Sequence, residues 1–214
     1  MINFNINKNS TQSGRSMIEM LGVLAIVGVL SVGGIAGYSK AMTKFKINKT
    51  ADQISHTLAN IQTLYAQQTT YEGLDYLIYD RKSEIIKVLF SNMDLNNTNI
   101  PMNPFNGGYE LENDYPNELK LILTGLPKEA CIALSTQDWG ASLPSLVALS
   151  IAKGNNITQD ADDRQMIPVD CKESFETRTG YVACSDNLPI PVATAAKYCN
   201  NPDDQHILKI TIKK

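Results

Sequence analysis

The sequence predicts an α+β protein. A long N-terminal helix, membrane-spanning in its first half, packs by its second half on an antiparallel β-sheet head with a disulfide-bonded C-terminal region. Three observations carry this expectation. Residues 20–39 (MLGVLAIVGVLSVGGIAGYS) run for twenty positions without a charge. A one-sided apolar stripe with helical spacing follows directly. The remainder holds several short strand-like runs and all four cysteines, Cys131, Cys171, Cys184 and Cys199.

The bulk numbers fit that plan. A chain of 214 residues suffices for one ordinary domain plus an extension. With 43% hydrophobic and 19% charged residues a packed core is expected rather than disorder. A net charge of −3 gives no reason to expect nucleic acid as a partner.

The apolar run comes first. At about 1.5 Å per residue it forms a helix about 30 Å long, the thickness of a bilayer core. It is too long for an ordinary signal-peptide core, and no small-residue cleavage site is evident beyond it. It reads as a single membrane span. Glu19 sits at its N-terminal edge, where a carboxylate is costly in lipid unless paired or held at headgroup level. Lys8 and Arg15 precede the span, and Lys40, Lys44, Lys46 and Lys49 follow it. The positive-inside rule alone places the C-terminal side in the cytoplasm. An even number of cysteines places that side in an oxidising compartment instead.

The helix continues beyond the span. Ile47, Ala51, Ile54, Leu58, Ile61 and Tyr65 form one apolar stripe, with Lys49, Asp52, Gln53, Asn60 and Gln62 off it. No proline occurs before Pro101, and the pattern fades near Gln68, before Thr69, Thr70 and Gly73. Residues 15–68 as one helix would span roughly 80 Å. The stripe covers too few heptads for a coiled coil and reads as core packing.

The head reads as α+β. Residues 83–90 suggest a short helix. Gly107-Gly108 turns into a strand at 109–112, and 118–124 (ELKLILT) alternates into a second. Residues 127–134 look helical with proline at the start. Residues 146–152 form a third strand and 181–184 a short one. Residues 191–199 suggest a helix, and 206–213 (HILKITIK) alternate as a final strand. Residues 154–178 are polar and irregular. A helix followed by strands mixed with short helices suggests an antiparallel sheet lying on the long helix.

Chemistry is sparse. The chain has no GxSxG, HExxH, P-loop or GxGxxG pattern, so no enzyme and no cofactor are expected. No CxxC pair occurs, and His56 and His206 lie far from the cysteines in sequence, so no zinc site is expected. Asp160, Asp162 and Asp163 cluster without an EF-hand pattern and read as a solvated acidic loop. Two disulfides are expected, and four cysteines allow three pairings.

Residues 14–24 (GRSMIEMLGVL) resemble the processing site of the type IV pilin family. There a short polar leader ends in glycine, cleavage follows it, and a glutamate stands fifth in the mature chain within an apolar run. Gly14 matches the last leader residue, Arg15 the first mature residue, and Glu19 the fifth. Three parts follow: a cleaved leader (1–14), a long helix (15–68, with 20–39 the transmembrane and polymer core) and a globular head (69–214). The family's first mature residue is usually apolar and N-methylated, whereas Arg15 is charged. Where the family often has a proline in the helix, this chain has Gly28, Gly33, Gly34 and Gly37. Those glycines fit either local bending in a filament or close packing through small faces.

The resemblance implies a cytoplasmic leader, a head carried across the inner membrane and, after assembly, a surface filament. That resolves the topology conflict. Its implied partners are further copies of the chain, a prepilin peptidase, an inner-membrane assembly platform and the lipid bilayer. It also implies that Glu19 neutralises the α-amine or the guanidinium of Arg15 on a neighbouring copy. The segment 103–108 (NPFNGG) resembles a loop before the sheet in type IVb pilins. The long leader points to that group too, as do cysteines fencing off a C-terminal region. A nested pairing is expected on that resemblance, Cys131 with Cys199 and Cys171 with Cys184. Two alternatives share parts of these features: a pseudopilin of a type II secretion system, and a non-polymerising bitopic membrane protein with an extracytoplasmic domain.

Overall fold

The computed structural model describes residues 17–74, 84–113, 115–139, 143, 145–154, 171–177 and 180–214. The chain forms two compact units, residues 1–42 and 43–214. Helix α1 (Met17–Leu64) supplies the described part of the first unit and enters the second.

Within the first unit every described residue up to Ala41 is exposed. A helix satisfies its own backbone polar groups, which lets so apolar a segment leave water. Ser31 joins in by donating its hydroxyl to Val27 O at 2.7 Å. The helix runs unbroken through Gly28, Gly33, Gly34 and Gly37. A Cβ added at any of them would meet nothing within 4 Å. The packing of the single chain therefore does not require glycine there.

In the second unit the predicted stripe is the buried one. Ile54, Leu58, Ile61 and Tyr65 are buried, and Ile47 and Ala51 pack against them. The buried face is wider than expected, however. Gln53, placed off the stripe by its polarity, is buried together with Thr50 and Thr57. Thr50 donates to Lys46 O at 2.9 Å, and Gln53 finds a partner on the sheet. The helix ends at Leu64, four residues before the predicted fade. Beyond it the bond from Ala66 N–H to Thr63 O spans three residues rather than four, which tightens the turn.

Six strands make the sheet among the described residues: β3 (Tyr109–Glu112), β4 (Glu118–Leu126), β5 (Leu146–Lys153), β6 (Phe175–Glu176), β7 (Gly180–Cys184) and β8 (His206–Lys213). Their order is β3-β4-β8-β5-β7-β6, and all neighbours are antiparallel. The last strand in sequence thus lies centrally between β4 and β5. Leu119, Leu121 and Leu123 of β4, Leu208, Ile210 and Ile212 of β8, and Leu149 and Ile151 of β5 form one core with Ile54, Leu58 and Ile61 of α1. Period-two alternation puts the intervening residues on the other face, where Ile122, Ala152 and Ile207 make a small separate cluster.

Three short α-helices and a 3-10 turn (Ser185–Asn187) are described beside α1, the α-helices being α2 (Glu84–Leu89), α3 (Lys128–Ser135) and α4 (Val192–Tyr198). Pro127 and Pro191 stand at the N-caps of α3 and α4, where a missing N–H costs nothing. A two-stranded pair, β1 (Asp94–Leu95) with β2 (Pro101–Met102), had no periodicity to announce it. Strand β4 runs two residues past the predicted end. Gly125, at φ 69°, breaks the alternation at a register irregularity between Leu123 and Leu126. Strand β6 lies inside the stretch expected to be irregular. The acidic cluster Asp160, Asp162 and Asp163 lies outside the described residues.

Candidate functional site

The apolar half of α1 is the first candidate. Met17, Ile18, Leu21, Leu24, Ile26, Val29, Leu30, Val32 and Ile35 are each more than 60% exposed. Soluble monomers rarely expose contiguous apolar surface beyond a few hundred Å², so this surface has to be covered by lipid or by other chains. The segment is long and apolar enough to cross a membrane, and none of it is buried. Glu19 is exposed in the first turn of α1. Negative charge is favoured there by the helix dipole. Gly14 and Arg15, the predicted processing pair, lie outside the described residues.

The second candidate is the junction between α1 and the sheet. Asn103 is buried and organises the NPFNGG loop. Its Oδ1 accepts from Phe105 N–H at 2.9 Å and from Gly107 N–H at 3.1 Å. Its Nδ2 donates to Thr124 O of β4 at 2.8 Å. Gly107 is obligatory, because a Cβ there would sit 1.7 Å from Thr124 O. The loop leads into Tyr109, whose hydroxyl donates to the buried Gln53 Oε1 of α1 at 3.0 Å. Burial pushes the Tyr109 phenol far above its ordinary range, so it remains a donor. Lys46 of α1 stands 5.6 Å above the Phe105 ring. Other polar residues off the stripe tie α1 down. Asn60 donates to Val88 O and Leu89 O at the end of α2, and Gln62 donates to Ser145 Oγ. At the C-terminal end of α1, Lys214 donates to Tyr65 O and lies over the Tyr71 ring.

The third candidate is the disulfide-bonded region. Cys131 of α3 is bonded to Cys199 just after α4, and Cys171 to Cys184 at the end of β7. The first bond joins two helices and the second encloses β6 and most of β7. Between them Tyr198 stacks on Tyr181 with ring centroids 5.1 Å apart. Lys197 bridges Glu176 at 2.8 Å.

Sequence reasoning missed the burial of Gln53 and the work of Asn103. Both carried a readable trace. Thr50, Gln53 and Thr57 repeat the three-and-four spacing of a helix face. Asn103, with Pro104 next and Gly107 four places on, fits an Asx-type turn.

A family model described as Bundlin matches residues 39–175. A protein named "Major structural subunit of bundle-forming pilus" from Escherichia coli O111:H- is 31% identical over 150 residues, covering 69% of this chain and 75% of its own length. Its counterpart from Escherichia coli O127:H6 (strain E2348/69 / EPEC) shows the same identity and coverage. A long apolar N-terminal helix, an antiparallel sheet, a disulfide-bonded C-terminal region and these likenesses together define a type IV pilin of the type IVb group. Within that class the chain belongs to the Bundlin family.

Proposed function

We propose that this chain is the structural subunit of a type IV pilus, cut between Gly14 and Arg15 by a prepilin peptidase and polymerised through α1. The observation that carries the reading is the apolar half of α1, exposed on every side in a chain whose relatives are named as major pilus subunits. Before assembly that surface lies in the inner membrane, with the N-terminus cytoplasmic and the head periplasmic. An assembly platform then transfers it from lipid to a bundle of like helices in a filament at the cell surface. The role is structural rather than enzymatic.

Glu19 has a specific task in this reading. Within a bundle of apolar helices an unpaired carboxylate costs several kcal/mol. The positive groups of Arg15 on a neighbouring copy offset that cost. Only one stagger between copies brings the charges together, so the pair also sets the register. Mass spectrometry of the cell-derived protein tests the processing step. The expected mature chain begins at Arg15, with or without N-methylation. A chain retaining Met1 in cells that carry the peptidase overturns it.

A further inference from the structure

The loop between α4 and β8 is stitched to its surroundings at several points. His206, the first residue of β8, is fully buried. Its Nε2 accepts from Asn201 N–H at 3.2 Å, and its Nδ1 lies 3.0 Å from Leu126 O at the end of β4. An Nε2 that accepts leaves the proton on Nδ1, which then donates to the carbonyl. The neutral ring is therefore fully satisfied. Nearby, Asn201 Nδ2 donates to Gln205 O at 2.9 Å. Lys128 N–H, in the first turn of α3, donates to Asp204 Oδ1 at 2.7 Å, and Lys128 Nζ donates to Asn200 Oδ1 at 3.0 Å.

We propose that residues 200–205 form an acid-released clasp, in which protonation of the buried His206 ring frees the loop from the ring and from α3 while the Cys131–Cys199 bond keeps α4 in place. A proton on Nε2 would set two N–H donors against each other at the Asn201 contact. The Nδ1 bond to Leu126 O strengthens when the ring is charged, so the ring stays and the loop yields. The charged groups around the ring come from three directions. Asp204 of the loop favours the imidazolium, while Lys153 at the end of β5 and Lys128 of α3 oppose it. Burial is the largest effect and holds the imidazole below its ordinary value of 6.5. The clasp is thus fully closed above that value. It weakens as pH falls below it, and its contribution is fully lost below the depressed folded value. The outcome is a change in one surface of the disulfide-bonded region, with the sheet and α1 left folded.

Hydrogen exchange of the full chain in detergent micelles, followed by mass spectrometry and corrected for intrinsic rates, tests this. Peptides covering 200–206 should lose protection between neutral pH and about pH 5. Peptides from 208–212 should hold theirs. His206→Gln supplies a donor and an acceptor without a titration, so its clasp should be insensitive to pH. His56→Gln, on the exposed face of α1, should respond like the wild type. Unchanged protection of 200–206 in the wild type at low pH overturns the proposal, as does a His206→Gln clasp that opens like the wild type. Should His206→Gln fail to fold, NMR of the wild type decides: the His206 ring and the Asn201 amide should titrate with one midpoint. Separate midpoints, or a silent Asn201, overturn it.

Discussion

Replacing Asn103 with alanine should loosen the head more than any exposed substitution would. The change removes three side-chain hydrogen bonds at once. Phe105 N–H is only partly buried and can turn to water, but Gly107 N–H and Thr124 O are buried and lose their side-chain partner. A stranded buried polar group costs about 1–3 kcal/mol. Two such groups, with some relaxation, put the loss at about 3 kcal/mol. For a chain of this size that corresponds to a fall in Tm of about 6–12 °C. Trp139, the single tryptophan, is buried in the head with its Nε1–H on Leu134 O. Its fluorescence during thermal unfolding, with both disulfides intact, is the assay. Asn103→Asp should be at least as damaging, since it keeps the acceptor but turns a carboxylate oxygen toward Thr124 O. An Asn103→Ala protein melting within about 2 °C of wild type would refute the reasoning.

Two further substitutions should act in the opposite direction. Thr57 Oγ1 and Thr211 Oγ1 are buried without a hydrogen-bond partner among the described residues, so Thr57→Val and Thr211→Val should each stabilise the head by about 0.5–1 kcal/mol. A loss of stability in urea unfolding of either variant would contradict this. The two disulfides should differ in weight. Their sequence separations of 68 and 13 residues correspond to about 4 and about 3 kcal/mol of loop-closure entropy. Cys131→Ser with Cys199→Ser should therefore lower the urea midpoint more than Cys171→Ser with Cys184→Ser, and the reverse order would count against that ledger.

Much of the fold was legible because its signals are local. Alternation in 206–213 and in 118–124 reports a sheet face directly. Prolines at 127 and 191 announce helix starts. The apolar run and the stripe from Ile47 to Tyr65 describe a helix with two surroundings. What escaped depends on contacts far apart in sequence. Gln53 is buried only because Tyr109, 56 residues away, supplies its partner. Gly125 interrupts a strand pattern for a reason that lies in the close approach of Gly107. The central place of β8 follows from pairing with β4 and β5, which no alternation within 206–213 encodes. At the site, the Gly and Glu spacing around Gly14, Arg15 and Glu19 was read from sequence alone. The loop of Asn103 was visible as a turn but not as the tie between the sheet and its flanking loop.

The central claim is that α1 assembles copies of this chain into a filament and that Glu19 directs the assembly. Its most direct test is electron microscopy of sheared surface fractions from cells whose sole subunit is wild type or Glu19→Ala. The amount of subunit retained in the membrane is measured alongside. The account predicts abundant filaments from the wild type. It predicts few or none from Glu19→Ala, with a folded, processed subunit accumulating in the membrane. Normal filaments from Glu19→Ala would reduce Glu19 to an interfacial charge and contradict the account.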